Sequence, residues 1–128
     1  MTLGALRHSS AKTAVEARRA AWNRRLGEEL DRLVGELRRR SDVERVMVFG
    51  SFARGESRYH SDLDMVVVQR TGLPFRERLE SLYRALHPRV TTDLLVYTPL
   101  EWDTLCAERA FAQRLEREGK TLYANASP

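Results

Sequence analysis

The sequence predicts a single α/β domain in which helices flank one small mixed β-sheet. Helix-like and strand-like segments alternate along the 128 residues, and the order helix then strand occurs four times. The strand-like segments are short and rich in β-branched residues, whereas the helix-like segments place their apolar residues on one side. This alternation is typical of α/β architectures, and a chain of this length can form one core without disulfides.

The first helix is predicted for residues 13–40, because apolar residues recur there at three- and four-residue spacing. This apolar stripe consists of Trp22, Leu26, Leu30, Leu33 and Leu37. Residues 1–12 lack the stripe and are expected to be flexible, so the folded domain would cover residues 13–128. Residues 1–45 hold 11 Lys or Arg against 7 Asp or Glu, which accounts for the whole net charge of +4. Because acids interleave with the arginines, we favour a solvated helix face over a nucleic-acid surface.

The remaining elements are placed by short apolar runs and by the Gly and Pro residues between them. Strands are predicted at residues 46–49, 62–69 and 91–97, with a short edge strand at residues 122–123. Helices are predicted at residues 52–55, 75–86 and 99–118, the last with a break near residue 108 and with Gly119 as its C-cap.

Composition excludes several classes of protein. No apolar run approaches the roughly 18 residues that a membrane span needs, and the first residues hold no apolar stretch long enough for a signal peptide. Cys106 is the sole cysteine, so an internal disulfide is impossible. We therefore expect a cytoplasmic protein, since thiols stay reduced in that compartment.

The dipeptide Gly50-Ser51 lies where the first predicted strand turns directly into a short helix. The first backbone N–H groups of a helix have no partner inside it, so this turn can bind an anion. Gly50 allows a ligand to approach the backbone closely, and Ser51 can either cap the helix or donate its hydroxyl to a phosphate oxygen. Taken alone, the dipeptide more often marks an ordinary strand-to-helix turn.

Asp62 and Asp64 are two residues apart at the start of the second strand, so both carboxylates should lie on the same face of the sheet. Two carboxylates this close repel each other. A hard divalent cation removes the conflict, and Mg²⁺ binds through a few carboxylates together with substrate phosphates. Asp93 opens the third strand, and if the two strands are neighbours all three carboxylates converge. The alternative for each acid is a solvated position at a strand end.

These residues resemble the signature of the DNA polymerase β-like nucleotidyltransferase superfamily, and within it the minimal nucleotidyltransferases. The resemblance rests on Gly50-Ser51, the ten residues that separate it from Asp62-x-Asp64, the Arg-Gly-Glu sequence at residues 54–56 and the later Asp93. It covers residues 42–123, and no signature position departs from the pattern. The long first helix is its least diagnostic part.

The resemblance implies a reaction with two Mg²⁺ ions, Mn²⁺ being an alternative, in which ATP is the substrate. Asp62, Asp64 and Asp93 would bind the metal ions and form the catalytic site. Gly50 and Ser51 would bind the triphosphate, and Arg54 would add a phosphate contact unless it forms a salt bridge with Glu56. An AMP group would then pass from ATP to a hydroxyl acceptor.

The resemblance also implies a partner protein. Relatives that modify antibiotics or extend RNA carry further domains for the acceptor, and we expect this chain to have no room for one. Minimal nucleotidyltransferases often accompany a small helical toxin of the HEPN class and adenylylate it, which predicts an antitoxin. One alternative is an antitoxin that neutralises its partner by contact alone, and a nucleic-acid binder ranks last. The oligomeric state stays open, including a homo-oligomer.

Overall fold

The structure, a computed structural model, describes residues 3–58 and 61–125, with side chains from Thr13 onward. Within that part, the elements in chain order are α1 (Leu3–Arg38), β1 (Val43–Phe49), α2 (Gly50–Ala53), β2 (Leu63–Gln69), α3 (Phe75–Leu86), β3 (Thr92–Tyr97), α4 (Pro99–Glu108), α5 (Ala110–Glu118) and β4 (Lys120–Ala124).

The four strands form one mixed sheet in the order β3-β2-β1-β4. β1 pairs antiparallel with both β2 and β4, whereas β2 and β3 run parallel and are joined through α3. The predicted mixed sheet is therefore confirmed, and β4 occupies an edge as the sequence predicted. The parallel pairing brings the start of β2 and the start of β3 to the same end of the sheet.

Helices cover both faces of the sheet and create two hydrophobic clusters. Strand residues alternate between them, so that Val46 and Val48 join the cluster under α1 and α3 while Met47 joins the one under α4 and α5. The four leucines of the predicted α1 stripe are buried in the first cluster, and Trp22 packs against it. The apolar stripe of α1 therefore packs against the sheet of its own domain.

α1 begins at Leu3, ten residues before the predicted start and inside the segment that was expected to be flexible. The sequence analysis relied on an apolar stripe, which begins only at Trp22. The preceding residues are rich in Ala and Arg, which favour a helix without any packing, and residues 13–21 are exposed to solvent. The division into a flexible start and a domain at residues 13–128 stays a prediction. Along residues 3–58 and 61–125, no helix is apolar over enough of its length to cross a membrane.

The chain leaves α5 at Gly119, where backbone segments approach each other closely. The predicted C-cap is confirmed, but its backbone is extended (φ −74°, ψ 159°) rather than left-handed. A Cβ atom at this position would lie 2.6 Å from the carbonyl oxygen of Leu115 and 3.3 Å from that of Val48. Glycine is needed here because there is no space for a side chain between α5 and β1.

We predict that Gly119→Ala lowers the free energy of unfolding by about 1–3 kcal/mol, the usual cost of an overpacked site. Gly35→Ala in α1 is the matched control, because apart from the adjacent backbone of α1 no atom of the described residues lies within 4 Å of the added Cβ. That control should instead stabilise the domain by up to about 1 kcal/mol, since alanine favours a helix. Urea unfolding of the two variants measures both values, and equal effects would contradict this account of Gly119.

Candidate functional site

The three predicted carboxylates meet at one end of the sheet. In the strand register, Asp64 lies opposite Phe49 of β1 on one side and opposite Asp93 of β3 on the other. Asp62 comes two residues before Asp64, immediately ahead of β2. Asp62 and Asp93 are exposed, whereas Asp64 is partly buried between them. The two strands are therefore neighbours, which is the condition that the sequence analysis set for the carboxylates to converge.

The fold perturbs the pKa of Asp64. Partial burial raises its pKa above the ordinary aspartate range, and the negative charges of Asp93 and Asp62 raise it further. A hydrogen bond with the Asp93 side chain acts in the same direction, while the positive charge of Arg54 opposes it. The site thus holds negative charges closer together than the isolated side chains prefer.

The donor set fits a hard divalent cation, because all three groups supply carboxylate oxygens and repel one another without a counter-charge. Within residues 13–58 and 61–125, no three Asp, Glu, His or Cys side chains are grouped so that they could hold a metal ion together. Mg²⁺ does not need three protein ligands, since it commonly retains several waters and binds one or two carboxylates together with substrate phosphates. Asp62, Asp64 and Asp93 are the residues that would hold it.

Gly50 lies directly against Asp64. Its φ angle is +79°, a left-handed conformation that favours glycine. A Cβ atom at Gly50 would approach Oδ2 of Asp64 to less than 3.0 Å, a separation that real Cβ atoms essentially never show. The backbone conformation therefore requires glycine, and the close contact with Asp64, which the sequence alone did not reveal, leaves little space for a side chain.

Ser51 and Arg54 lie on and just after the short helix α2. The N-cap of α2 is Phe49 and no side chain caps it, so the capping role considered for Ser51 is not observed. The phosphate-binding role of Ser51 stays a prediction. Arg54 forms the salt bridge that was the alternative to a phosphate contact, with 3.0 Å between its Nε and Oε2 of Glu56. Both partners of that pair are exposed, so it contributes little to stability and can be exchanged for another anion.

A cleft of about 300 Å³ opens beside Gly50, between α5 and the start of α2. The sequence analysis had not singled out Phe111 and Arg114, which line it with Gly50 and Arg54. Phe111 is 45% exposed, unusually open for a phenylalanine. An exposed aromatic ring and two guanidinium groups suit a base and a phosphate chain. Only the folded arrangement reveals these two residues, since nothing in the local sequence of α5 indicates which of its side chains border a cleft.

Hydrogen bonds from two helices hold the backbone directly before Asp62 and directly before Asp93. The indole N–H of Trp22 in α1 donates to the carbonyl oxygen of Ser61 (2.9 Å), directly before Asp62. The hydroxyl of Tyr83 in α3 donates to the carbonyl oxygen of Thr92 (2.5 Å), directly before Asp93. The apolar stripe of the sequence had indicated only a packing role for Trp22.

Solved structures with a similar fold include a protein from Sulfolobus solfataricus that is described as a nucleotidyltransferase, with a TM-score of 0.59 and 21% identity over 80% of this chain and 84% of that one. A toxin–antitoxin structure with AMP-PNP has a TM-score of 0.52 and 22% identity, over 75% of this chain and 73% of that one. A toxin–antitoxin structure named MntA-HpeT has a TM-score of 0.50 and 24% identity, over 75% and 72% respectively. At these identities the likeness shows a shared fold.

Comparison with curated proteins gives no match. A family model, described as "Polymerase beta, Nucleotidyltransferase", matches residues 31–127. That range includes β1 to β4, the three carboxylates and Gly50-Ser51. The chain therefore belongs to the polymerase β nucleotidyltransferase family.

Proposed function

We propose that this protein is a metal-dependent nucleotidyltransferase that transfers AMP from ATP to a hydroxyl group on a partner protein. The observation that carries the proposal is the contact between Gly50 and Asp64, beside Asp93. At this contact, backbone without a side chain lies beside carboxylates that repel one another. A metal-bound triphosphate requires this arrangement.

The nucleotide would extend from the carboxylates into the cleft beside Gly50. Ser51 and the Gly50 backbone would contact the β- and γ-phosphates. Arg54 and Arg114 would bind phosphate oxygens bidentately, and Phe111 would pack against the base. The acceptor would approach the α-phosphorus from the direction of Asp62 and Asp93, which are exposed.

In this reaction the acceptor oxygen forms a bond to the α-phosphorus, the bond from that phosphorus to the bridging oxygen breaks, pyrophosphate leaves and the hydroxyl proton passes to solvent. Bound Mg²⁺ would lower the pKa of the hydroxyl and neutralise the leaving group. Asp62, Asp64 and Asp93 would hold the ions in place, and Gly50 would keep the space beside Asp64 free for the phosphates. Catalysis would depend on positioning and charge compensation.

We further propose that the acceptor is a toxin and that this protein is its antitoxin. The support is the shared fold with two toxin–antitoxin structures, one of them determined with AMP-PNP. The family resemblance of the signature residues adds the HEPN class as the kind of toxin. Exposure of Asp62 and Asp93 is compatible with a protein side chain as the acceptor, because a bulky partner can reach them.

The catalytic proposal predicts transfer of label from α-labelled ATP to the partner toxin in the presence of Mg²⁺. Asp62→Asn should lower the rate at least about 100-fold, because loss of a metal-binding carboxylate removes several kcal/mol of transition-state stabilisation. Asp31→Asn removes one exposed acid from α1 and should leave the rate unchanged.

If the protein is instead an antitoxin that neutralises its partner by contact alone, the labelling experiment gives the opposite result. Under that alternative, Asp62→Asn still protects cells from the toxin and no label reaches the partner from wild-type protein. Absence of label transfer, or transfer that Asp62→Asn leaves intact, would contradict the catalytic proposal.

The raised pKa of Asp64 predicts that its charged carboxylate lowers the free energy of unfolding. Because the folded protein disfavours the charged carboxylate, a penalty is present above the folded pKa and disappears as the pH falls through it. Asp64→Asn should therefore raise the melting temperature by a few degrees at neutral pH, and the gain should shrink on acidification. Mg²⁺ should stabilise the wild type more than this variant.

Differential scanning fluorimetry across pH, with and without Mg²⁺, measures these shifts. Asp103→Asn, which changes an exposed acid of α4, controls for the loss of one negative charge. A wild type that is as stable as Asp64→Asn at every pH, with the same response to Mg²⁺, would refute the proposed charge conflict.

A further inference from the structure

We propose that Trp22 and Tyr83 are positioning residues, whose polar ends hold the backbone beside Asp62 and Asp93 so that these carboxylates can share a divalent cation with Asp64. The inference rests on the proposed function, because it concerns the same metal site. It adds α1 and α3 to the parts of the molecule on which that site depends.

Tyr83 holds β3 on both sides of Asp93. Its hydroxyl donates to the carbonyl oxygen of Thr92 (2.5 Å) and accepts from the N–H of Leu94 (3.1 Å). β3 is an edge strand, so within residues 3–58 and 61–125 its outer side has no strand partner. A single phenol therefore replaces the missing neighbour at the peptide groups that flank the carboxylate.

Trp22 holds the segment that leads into Asp62. Its indole N–H donates to the carbonyl oxygen of Ser61 (2.9 Å), and the next N–H after Asp62, that of Leu63, donates to the carbonyl oxygen of Thr91 (3.0 Å). A second link joins the same loop to α1, because Ser57, which is 6% exposed, hydrogen-bonds through its hydroxyl to Asn23. The backbone is thus fixed on both sides of Asp62.

These bonds oppose the force that would spread the carboxylates apart. The negative charges of Asp62 and Asp93 both act on Asp64, and an unrestrained segment would relax away from that repulsion. The rings of Trp22 and Tyr83 also pack against the core under α1 and α3. Replacement by phenylalanine keeps an aromatic ring in that core and removes the hydrogen bonds, so it separates positioning from packing.

The test compares four single variants by the binding of Mn²⁺, measured by electron paramagnetic resonance of the free ion. Trp22→Phe and Tyr83→Phe should each raise the Mn²⁺ dissociation constant about tenfold, the usual effect of losing a group that orients a metal ligand. Trp102→Phe and Tyr123→Phe are the matched controls and should bind as the wild type does. Trp102 of α4 is 4% exposed and donates its indole N–H to Glu116 of α5. Its replacement therefore costs at least as much packing as that of Trp22.

Amide hydrogen exchange supplies a readout that does not depend on metal. In Tyr83→Phe the Leu94 amide should exchange faster while amides at the centre of β1 keep the wild-type rate. A loss of Mn²⁺ affinity that appears equally in the two controls, or Mn²⁺ binding unchanged in both test variants, would overturn the inference and leave the proposed function standing. A wild type that binds neither Mn²⁺ nor ATP would overturn both.

Discussion

The parallel pairing of β2 with β3 places Asp64 beside Asp93, and the candidate site depends on this forced proximity of two carboxylates. The residues that follow each carboxylate are buried on both faces of the sheet, including Met65, Val66 and Leu94. The carboxylates therefore cannot separate without disturbing the core. Hydrophobic burial outweighs a local repulsion that would otherwise move the strands apart. Such a conflict is typical of a binding site, where a ligand supplies the missing compensation.

The elements around Asp64 and Asp93 make two contributions. Some leave space open beside the two carboxylates, and others hold the nearby backbone in place. Gly50 leaves room at Asp64 where any side chain would collide, and the cleft that begins there continues along α5 to Arg114. On the other face, α1 and α3 tie down the backbone next to Asp62 and Asp93 through two aromatic side chains. The two flanking layers therefore differ in what they contribute, since one borders the cleft and the other donates hydrogen bonds to the backbone beside the carboxylates.

The sequence predicted the features that depend on local pattern. The alternating order of helix-like and strand-like segments predicted the mixed sheet and its flanking helices, and strand alternation placed Asp62 and Asp64 on one face of the sheet. Features that depend on contacts between distant segments were not predictable, such as the contact of Gly50 with Asp64 and the place of Phe111 at the cleft. Trp22 was recognised only as an apolar residue, since the partner of its N–H lies 39 residues away. The early start of α1 was missed because helix propensity, rather than packing, extends it to Leu3.

Anomalous diffraction from a crystal grown with Mn²⁺ and a non-hydrolysable ATP analogue tests the central claim most directly. The account predicts an anomalous peak bounded by Asp62, Asp64 and Asp93, with the triphosphate against Gly50 and directed into the cleft that Arg114 lines. A nucleotide bound elsewhere, or Mn²⁺ located away from these carboxylates, would contradict it.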